Sequence, residues 1–136
     1  MAQQTELPPR VLVVDDDPAS ANLMATLLED HGFRVGVAYG GADAVLAAEI
    51  LRPSAILLDL GMPEVSGLEV CRRVRREPWG ATMRIVALTG WAEQRWFNSA
   101  EDAGFDGYLL KPASVDEILR AVQHELPSVS GAVLAA

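Results

Sequence analysis

Five short apolar runs, Val11-Leu12-Val13-Val14, Val35-Gly36-Val37-Ala38, Ala55-Ile56-Leu57-Leu58, Ile85-Val86-Ala87-Leu88 and Tyr108-Leu109-Leu110, alternate along the chain with longer stretches of helical period. The runs are continuous instead of switching between apolar and polar, so each predicts a strand covered on both faces, as in a parallel sheet flanked by helices. Between them, Pro18 suits the first turn of a helix in which Leu23, Met24, Leu27 and Leu28 share one face and which Gly32 ends. Ala44, Val45, Ala48 and Leu51 repeat that spacing until Arg52-Pro53 stops it. Ser66 and Glu69 have the spacing of a capping box for a third helix, buried through Val70, Cys71 and Val74 and closed by Pro78. A fourth, from about Ala92 to Ala103, shows only a thin stripe of Trp96, Ala100 and Ala103 before Gly104. Val115, Ile118, Leu119, Val122 and Leu126 define a fifth, stopped by Pro127.

Five successive βα units with right-handed crossovers predict an α/β fold, a three-layer (βα)5 doubly wound sandwich over a five-stranded parallel sheet of order 2-1-3-4-5. A chain of 136 residues is the size of one ordinary domain, placed here at residues 9–126, with residues 1–8 an N-terminal tail and 127–136 a C-terminal tail or truncated linker. No apolar run approaches the roughly 20 residues that span a bilayer, and Met1 to Pro9 has no leader pattern, so a cytoplasmic location is expected. The single cysteine, Cys71, has no partner for an internal disulfide and reads as a buried core residue. Eleven basic against nineteen acidic residues leave a net charge of −8, which disfavours direct binding to nucleic acid or to an anionic membrane. The basic run Arg72, Arg73, Arg75 and Arg76 therefore reads as a solvated helix face.

Doubly wound sheets bind ligands outside the carboxyl ends of their strands. There the sequence places Asp15, Asp16 and Asp17 after the first strand, Asp59 after the third, Thr89 after the fourth and Lys111 after the fifth. With the first and third strands adjacent, Asp15 and Asp16 approach Asp59. Crowded carboxylates repel one another unless a cation compensates, and Mg²⁺ suits such a place because it takes oxygen ligands, keeps water and commonly shares a phosphate oxygen. Singly, each residue has a plainer reading. Asp-Asp-Asp-Pro is also what a solvated turn with an N-cap looks like, Asp59 can anchor a loop, Thr89 can be an ordinary β residue and Lys111 a surface cation.

Taken together, Val14-Asp15-Asp16, Asp59-Leu60-Gly61-Met62-Pro63 with Gly67, Ala87-Leu88-Thr89-Gly90 and Tyr108-Leu109-Leu110-Lys111-Pro112 resemble the receiver domains of bacterial two-component response regulators. The resemblance covers roughly Arg10 to Leu126, and no essential position is missing. It implies that Asp59 is the phosphoacceptor, taking a phosphoryl group from a sensor histidine kinase or a histidine phosphotransfer protein. It implies Mg²⁺, for which Mn²⁺ is expected to substitute, held by Asp16, Asp59 and the Gly61 carbonyl, with Asp15 acting directly or through water. Lys111 and Thr89 are the implied phosphate contacts, Tyr108 turns inward as the switch, and the Lys111-Pro112 bond is cis. Gly61 and Trp91 flank the path of attacking water and so tune phosphate lifetime. Trp96 belongs to the partner surface or to the core. Output is expected through the face of the fourth helix, fifth strand and fifth helix, on a downstream effector protein, by a monomer or weak dimer that turns over no external substrate. His31 and His124 are unpromising as phosphodonors.

Two other classes compete. A Mg²⁺-dependent phosphohydrolase of haloacid-dehalogenase type also uses an aspartate after a strand, but Ala19 stands where that family has Thr or Val, and no cap domain is evident. A flavin carrier needs a first loop that cradles phosphate, which three aspartates repel.

Overall fold

A computed structural model describes residues 8–123. Along the chain run β1 (Arg10–Val14), α1 (Pro18–Asp30), β2 (Arg34–Ala38), α2 (Gly41–Leu51), β3 (Ala55–Leu58), α3 (Gly67–Arg76), β4 (Arg84–Thr89), α4 (Gln94–Ala103), β5 (Gly107–Leu110) and α5 (Val115–Val122), with a 3-10 turn at Pro78–Gly80. All the strand pairs are parallel, and the sheet order is β2-β1-β3-β4-β5, as the sequence predicts. The expected tails and the end of the last helix, including His124, Leu126 and Pro127, lie outside the described residues.

Alternate residues of each strand feed two cores. Leu12, Val14, Ile56, Leu58, Ile85 and Ala87 pack against α2, α3 and α4, while Val11, Val13, Leu57, Val86, Leu88 and Leu109 pack against α1 and α5. Every residue of β3 and β4 is buried, which is why these strands read as unbroken apolar runs. Strand β2 lies at the edge, where four of its five residues are only half-buried.

Two helix faces and one cap differ from the sequence expectation, while α3 buries Val70, Cys71 and Val74 as expected. In α1 the buried positions are Ala21, Ala25 and Leu28, whereas Leu23 is 72% exposed. Small alanines let that helix sit close to the sheet, and Leu23 falls nearly opposite the arc they define, on the side away from the sheet. In α4 it is Phe97 that enters the core with Ala100 and Ala103, and Trp96 stays half-exposed beside it. In α3 the Ser66 hydroxyl accepts from the Glu69 N–H as expected, but the Glu69 carboxylate turns to Arg72, Arg73 and Arg76 instead of closing the box. A complete capping box stands at α5, between Ser114 and Glu117.

Arg75 departs most from the solvated-face reading. Its guanidinium donates to the carbonyls of Gly104, Gly80 and Met83 and, at 2.6 Å, to Asp106 Oδ2, which also accepts from the Ile85 N–H. This one side chain ties α3 to the end of α4 and the starts of β4 and β5. Arg84 is also internal: its Nε donates to the Ala121 carbonyl at 2.8 Å, and burial lowers its pKa.

The two kinds of arginine on α3 make a test. Arg75→Met strands several buried carbonyls and one carboxylate and should lower unfolding free energy by about 3 kcal/mol. Arg72→Met, at an exposed side chain 3.8 Å from Glu69, should change it by less than about 0.5 kcal/mol. Urea unfolding of the two variants checks this, and equal effects would contradict the internal role of Arg75.

Candidate functional site

The sheet itself fixes the acidic backbone. The Asp15 N–H donates to the Ala38 carbonyl at 3.2 Å, and the Asp59 N–H donates to the Val14 carbonyl at 3.1 Å, so both aspartates leave adjacent strands at the same level. Carboxylate oxygens of Asp15, Asp16 and Asp59 then lie within 4.8 Å of one another. Asp15 and Asp59 are half-buried and Asp16 is exposed. Burial raises the Asp15 pKa, an effect opposed by the Asp17 N–H and the Lys111 charge and reinforced by the charges of Asp59 and Asp16.

Asp17 is not part of this trio. It is the N-cap of α1, ahead of Pro18, and its carboxylate accepts the Ser20 hydroxyl at 2.7 Å, which lowers its pKa. Its own N–H donates to Asp15 Oδ1 at 3.0 Å and so orients that carboxylate. The plain turn reading therefore accounts for Asp17, whose carboxylate caps no backbone N–H of the helix, but not for its two neighbours.

Lys111 closes the site from β5. Its Nζ is 3.8 Å from Asp15 Oδ2 and 3.9 Å from Asp59 Oδ2, too far for a hydrogen bond and close enough for strong attraction. The Lys111-Pro112 peptide bond is cis. Thr89 ends β4 and is 2% exposed; its hydroxyl oxygen accepts from the Trp91 N–H at 3.2 Å. The pairing of Leu58 with Ala87 puts Asp59 level with Leu88, one residue short of Thr89.

The connection after Asp59 has little room. The Gly61 N–H donates to Asp59 Oδ1 at 3.0 Å, and a Cβ on Gly67 would collide with the Asp59 carbonyl, so the start of α3 can pass behind the acidic loop only without a side chain there. A Cβ on Gly61 would stand 2.9 Å from Cζ2 of Trp91. Trp91 therefore overlies the loop that carries Asp59, a contact that spacing in the sequence does not reveal.

Tyr108, expected to turn inward only with phosphate present, is already 4% exposed. Its hydroxyl donates to the Trp91 carbonyl at 2.6 Å, its ring packs edge-on against Phe97, and burial pushes its pKa up to about 12. An acceptor and an aromatic wall on the inner side hold it there.

Beside the acidic cluster, an apolar cavity of about 560 Å³ opens at Asp15, Asp59 and Lys111 and runs between α1 and α5 past Leu23, Val115 and Ile118. Three clustered oxygen donors, two of them half-buried, suit a small hard divalent cation such as Mg²⁺ better than a soft metal. An adjoining ammonium suits a second, anionic guest.

Known proteins agree with this geometry. The model of the response regulator receiver domain family matches residues 11–123. An uncharacterized 14.6 kDa protein from the sodA1 3′ region of Leptolyngbya boryana is 40% identical over 113 residues, covering 83% of this chain and 86% of that one. The DNA-binding dual master transcriptional regulator RpaA of Synechocystis is 38% identical over 85% of this chain, which spans 48% of that regulator's length. Among solved structures, chemotaxis protein CheY4 of Vibrio cholerae superposes with a TM-score of 0.82 at 28% identity, covering 88% of this chain and 99% of that one. The receiver domain of sensor histidine kinase PA1611 from Pseudomonas aeruginosa, which has a magnesium ion coordinated in its active-site cleft, gives 0.80 at 31% identity over 91% and 99%. These matches leave the phosphohydrolase alternative without support. With its fold, its acidic edge and these relatives in agreement, the chain belongs to the receiver domains of two-component response regulators, a signalling family and not one of conventional enzymes.

Proposed function

We propose that Asp59 is the residue phosphorylated, with Asp15, Asp16 and the Gly61 carbonyl completing a Mg²⁺ site that Mn²⁺ also fills. The observation that carries this reading is the approach of the three carboxylates to within 4.8 Å with Lys111 beside them. Bound Mg²⁺ would neutralise the carboxylates and the oxygens of the incoming group. An oxygen of Asp59 attacks the phosphorus of a donor phosphohistidine, the N–P bond breaks, and the imidazole leaves with the donor. The transition state of such a transfer is loose, so the chain contributes mainly alignment and charge. Lys111 attracts one phosphoryl oxygen and the Thr89 hydroxyl donates to another, while its oxygen accepts from the Trp91 N–H.

Receiver domains act with histidine kinases, and the donor here is a kinase or a histidine phosphotransfer protein whose helices seat in the cavity between α1 and α5. Leu23, 72% exposed at the rim of a cavity continuous with Asp59, supports that seat. The effector side is α4, β5 and α5, where Thr89, Trp91 and Tyr108 connect the site to the surface. Direct DNA contact is not assigned to this segment, whose charge is −8. Among the described residues no helix is long and apolar enough to cross a membrane, and a cytoplasmic location follows the family.

Incubation with acetyl phosphate and Mg²⁺ should add one phosphoryl unit to the parent by intact mass and none to Asp59→Asn. An unmodified parent, or equal labelling of both, would overturn the assignment. Leu23→Asp should take label from acetyl phosphate at the parent rate but accept it at least about tenfold more slowly from a phosphorylated donor protein, as loss of one buried apolar contact predicts. Equal rates from the protein donor would remove the proposed seat.

A further inference from the structure

We infer that Trp96, on α4, is a positioning residue for the chemistry at Asp59: it holds Trp91 as a cover over the acceptor loop and thereby lengthens the life of the aspartyl phosphate. The inference rests on the assignment of Asp59 as acceptor. The two indoles stack with centroids 4.3 Å apart and planes inclined by 32°. Trp96 is itself fixed although half-exposed. Its indole N–H donates to Glu93 Oε1 at 3.1 Å, and the Arg95 guanidinium lies 4.9 Å from its ring centre.

Trp91 is held from its other groups as well. Its N–H donates to the Thr89 hydroxyl, its carbonyl accepts the Tyr108 hydroxyl, and its six-membered ring lies against Gly61, where even a methyl group would press on it. The backbone contacts fix the main chain of Trp91 but leave its side-chain torsions free. Besides its packing on the core, the ring meets Gly61 and Trp96. Gly61 gives it space, and Trp96 gives it a reason to stay there, since a stacked aromatic pair contributes roughly 0.5–1.5 kcal/mol beyond the area it buries.

Loss of the phosphoryl group requires water. A water oxygen attacks phosphorus, the bond from phosphorus to the Asp59 oxygen breaks, and the products are the free carboxylate and dihydrogen phosphate, with both water protons carried by the latter. A ring lying over the loop that carries Asp59 obstructs the approach of that water, and Trp96 acts on the reaction only through the ring.

Three variants test this: Trp91→Ala, Trp96→Ala and the double variant, phosphorylated with acetyl phosphate, freed of donor and followed by intact mass. Trp96→Phe serves as the conservative variant. The initial extent of labelling reports on the acceptor assignment, and the decay rate reports on the cover. Trp96→Ala should shorten the phosphate lifetime several-fold while unfolding temperature stays near that of the parent, Trp96→Phe should restore it, and the double variant should decay no faster than Trp91→Ala alone. An unchanged or longer lifetime in Trp96→Ala, or rates that multiply in the double variant, would overturn the inference. Should Trp96→Ala unfold, decay in Trp96→Phe and Trp91→Ala decides instead: parent-like decay in Trp91→Ala would refute the cover.

Discussion

Repulsion among three carboxylates held close together is the interaction on which the rest of this molecule's organisation depends. In water, two such charges at 4 Å cost about 1 kcal/mol, and several times that near a protein surface, so the fold retains a cluster it would be more stable without. At Asp15 that repulsion adds to a larger effect: burial raises its pKa, and the charges of Asp59 and Asp16 push the same way. What maintains the cluster is backbone: the ladder between β1, β2 and β3 fixes the exits of the first and third strands, whatever their side chains prefer. Lys111 relieves part of the charge from a distance at which it forms no hydrogen bond. A divalent cation and a phosphoryl group are the guests that such an arrangement favours.

From that edge the structure leads outward through few atoms. Thr89 and Trp91 share a hydrogen bond, Trp91 and Tyr108 share another, and Tyr108 packs on Phe97 of α4. A ligand that accepts from the Thr89 hydroxyl is therefore one hydrogen bond away from the loop before α4. At the far end of α4, Arg75 ties Gly104 and Asp106 to α3.

The strands and the acidic edge were legible in the sequence because their causes are local or follow from topology. Burial on both faces forces unbroken apolar runs such as Ala55 to Leu58, and once the strand order is taken, the placement of Asp15, Asp16, Asp59 and Lys111 at one edge follows. Helix faces were harder, since periodicity does not say which side of an arc meets the sheet. Leu23 lay on the apolar face and Trp96 in the thin stripe, with Trp96 left between partner surface and core, yet Ala21 and Phe97 fill the buried positions. Arg75 sat among three arginines that do face solvent, and only the neighbouring chain around Gly104 and Asp106 distinguishes it. The contact of Trp91 with Gly61 is invisible in one dimension, although two glycine-flanked loops converging on one strand edge were a reason to look there.

Calorimetric titration of Mg²⁺ into the phosphate-free chain, beside Asp16→Asn, tests the central claim most directly. Asp16 is exposed, so the substitution removes a ligand without emptying the core. The account predicts one ion bound per parent chain and a loss of affinity of at least about tenfold in the variant, since an inner carboxylate ligand contributes more than 1.4 kcal/mol. No binding by the parent, or equal affinity in both proteins, would contradict it.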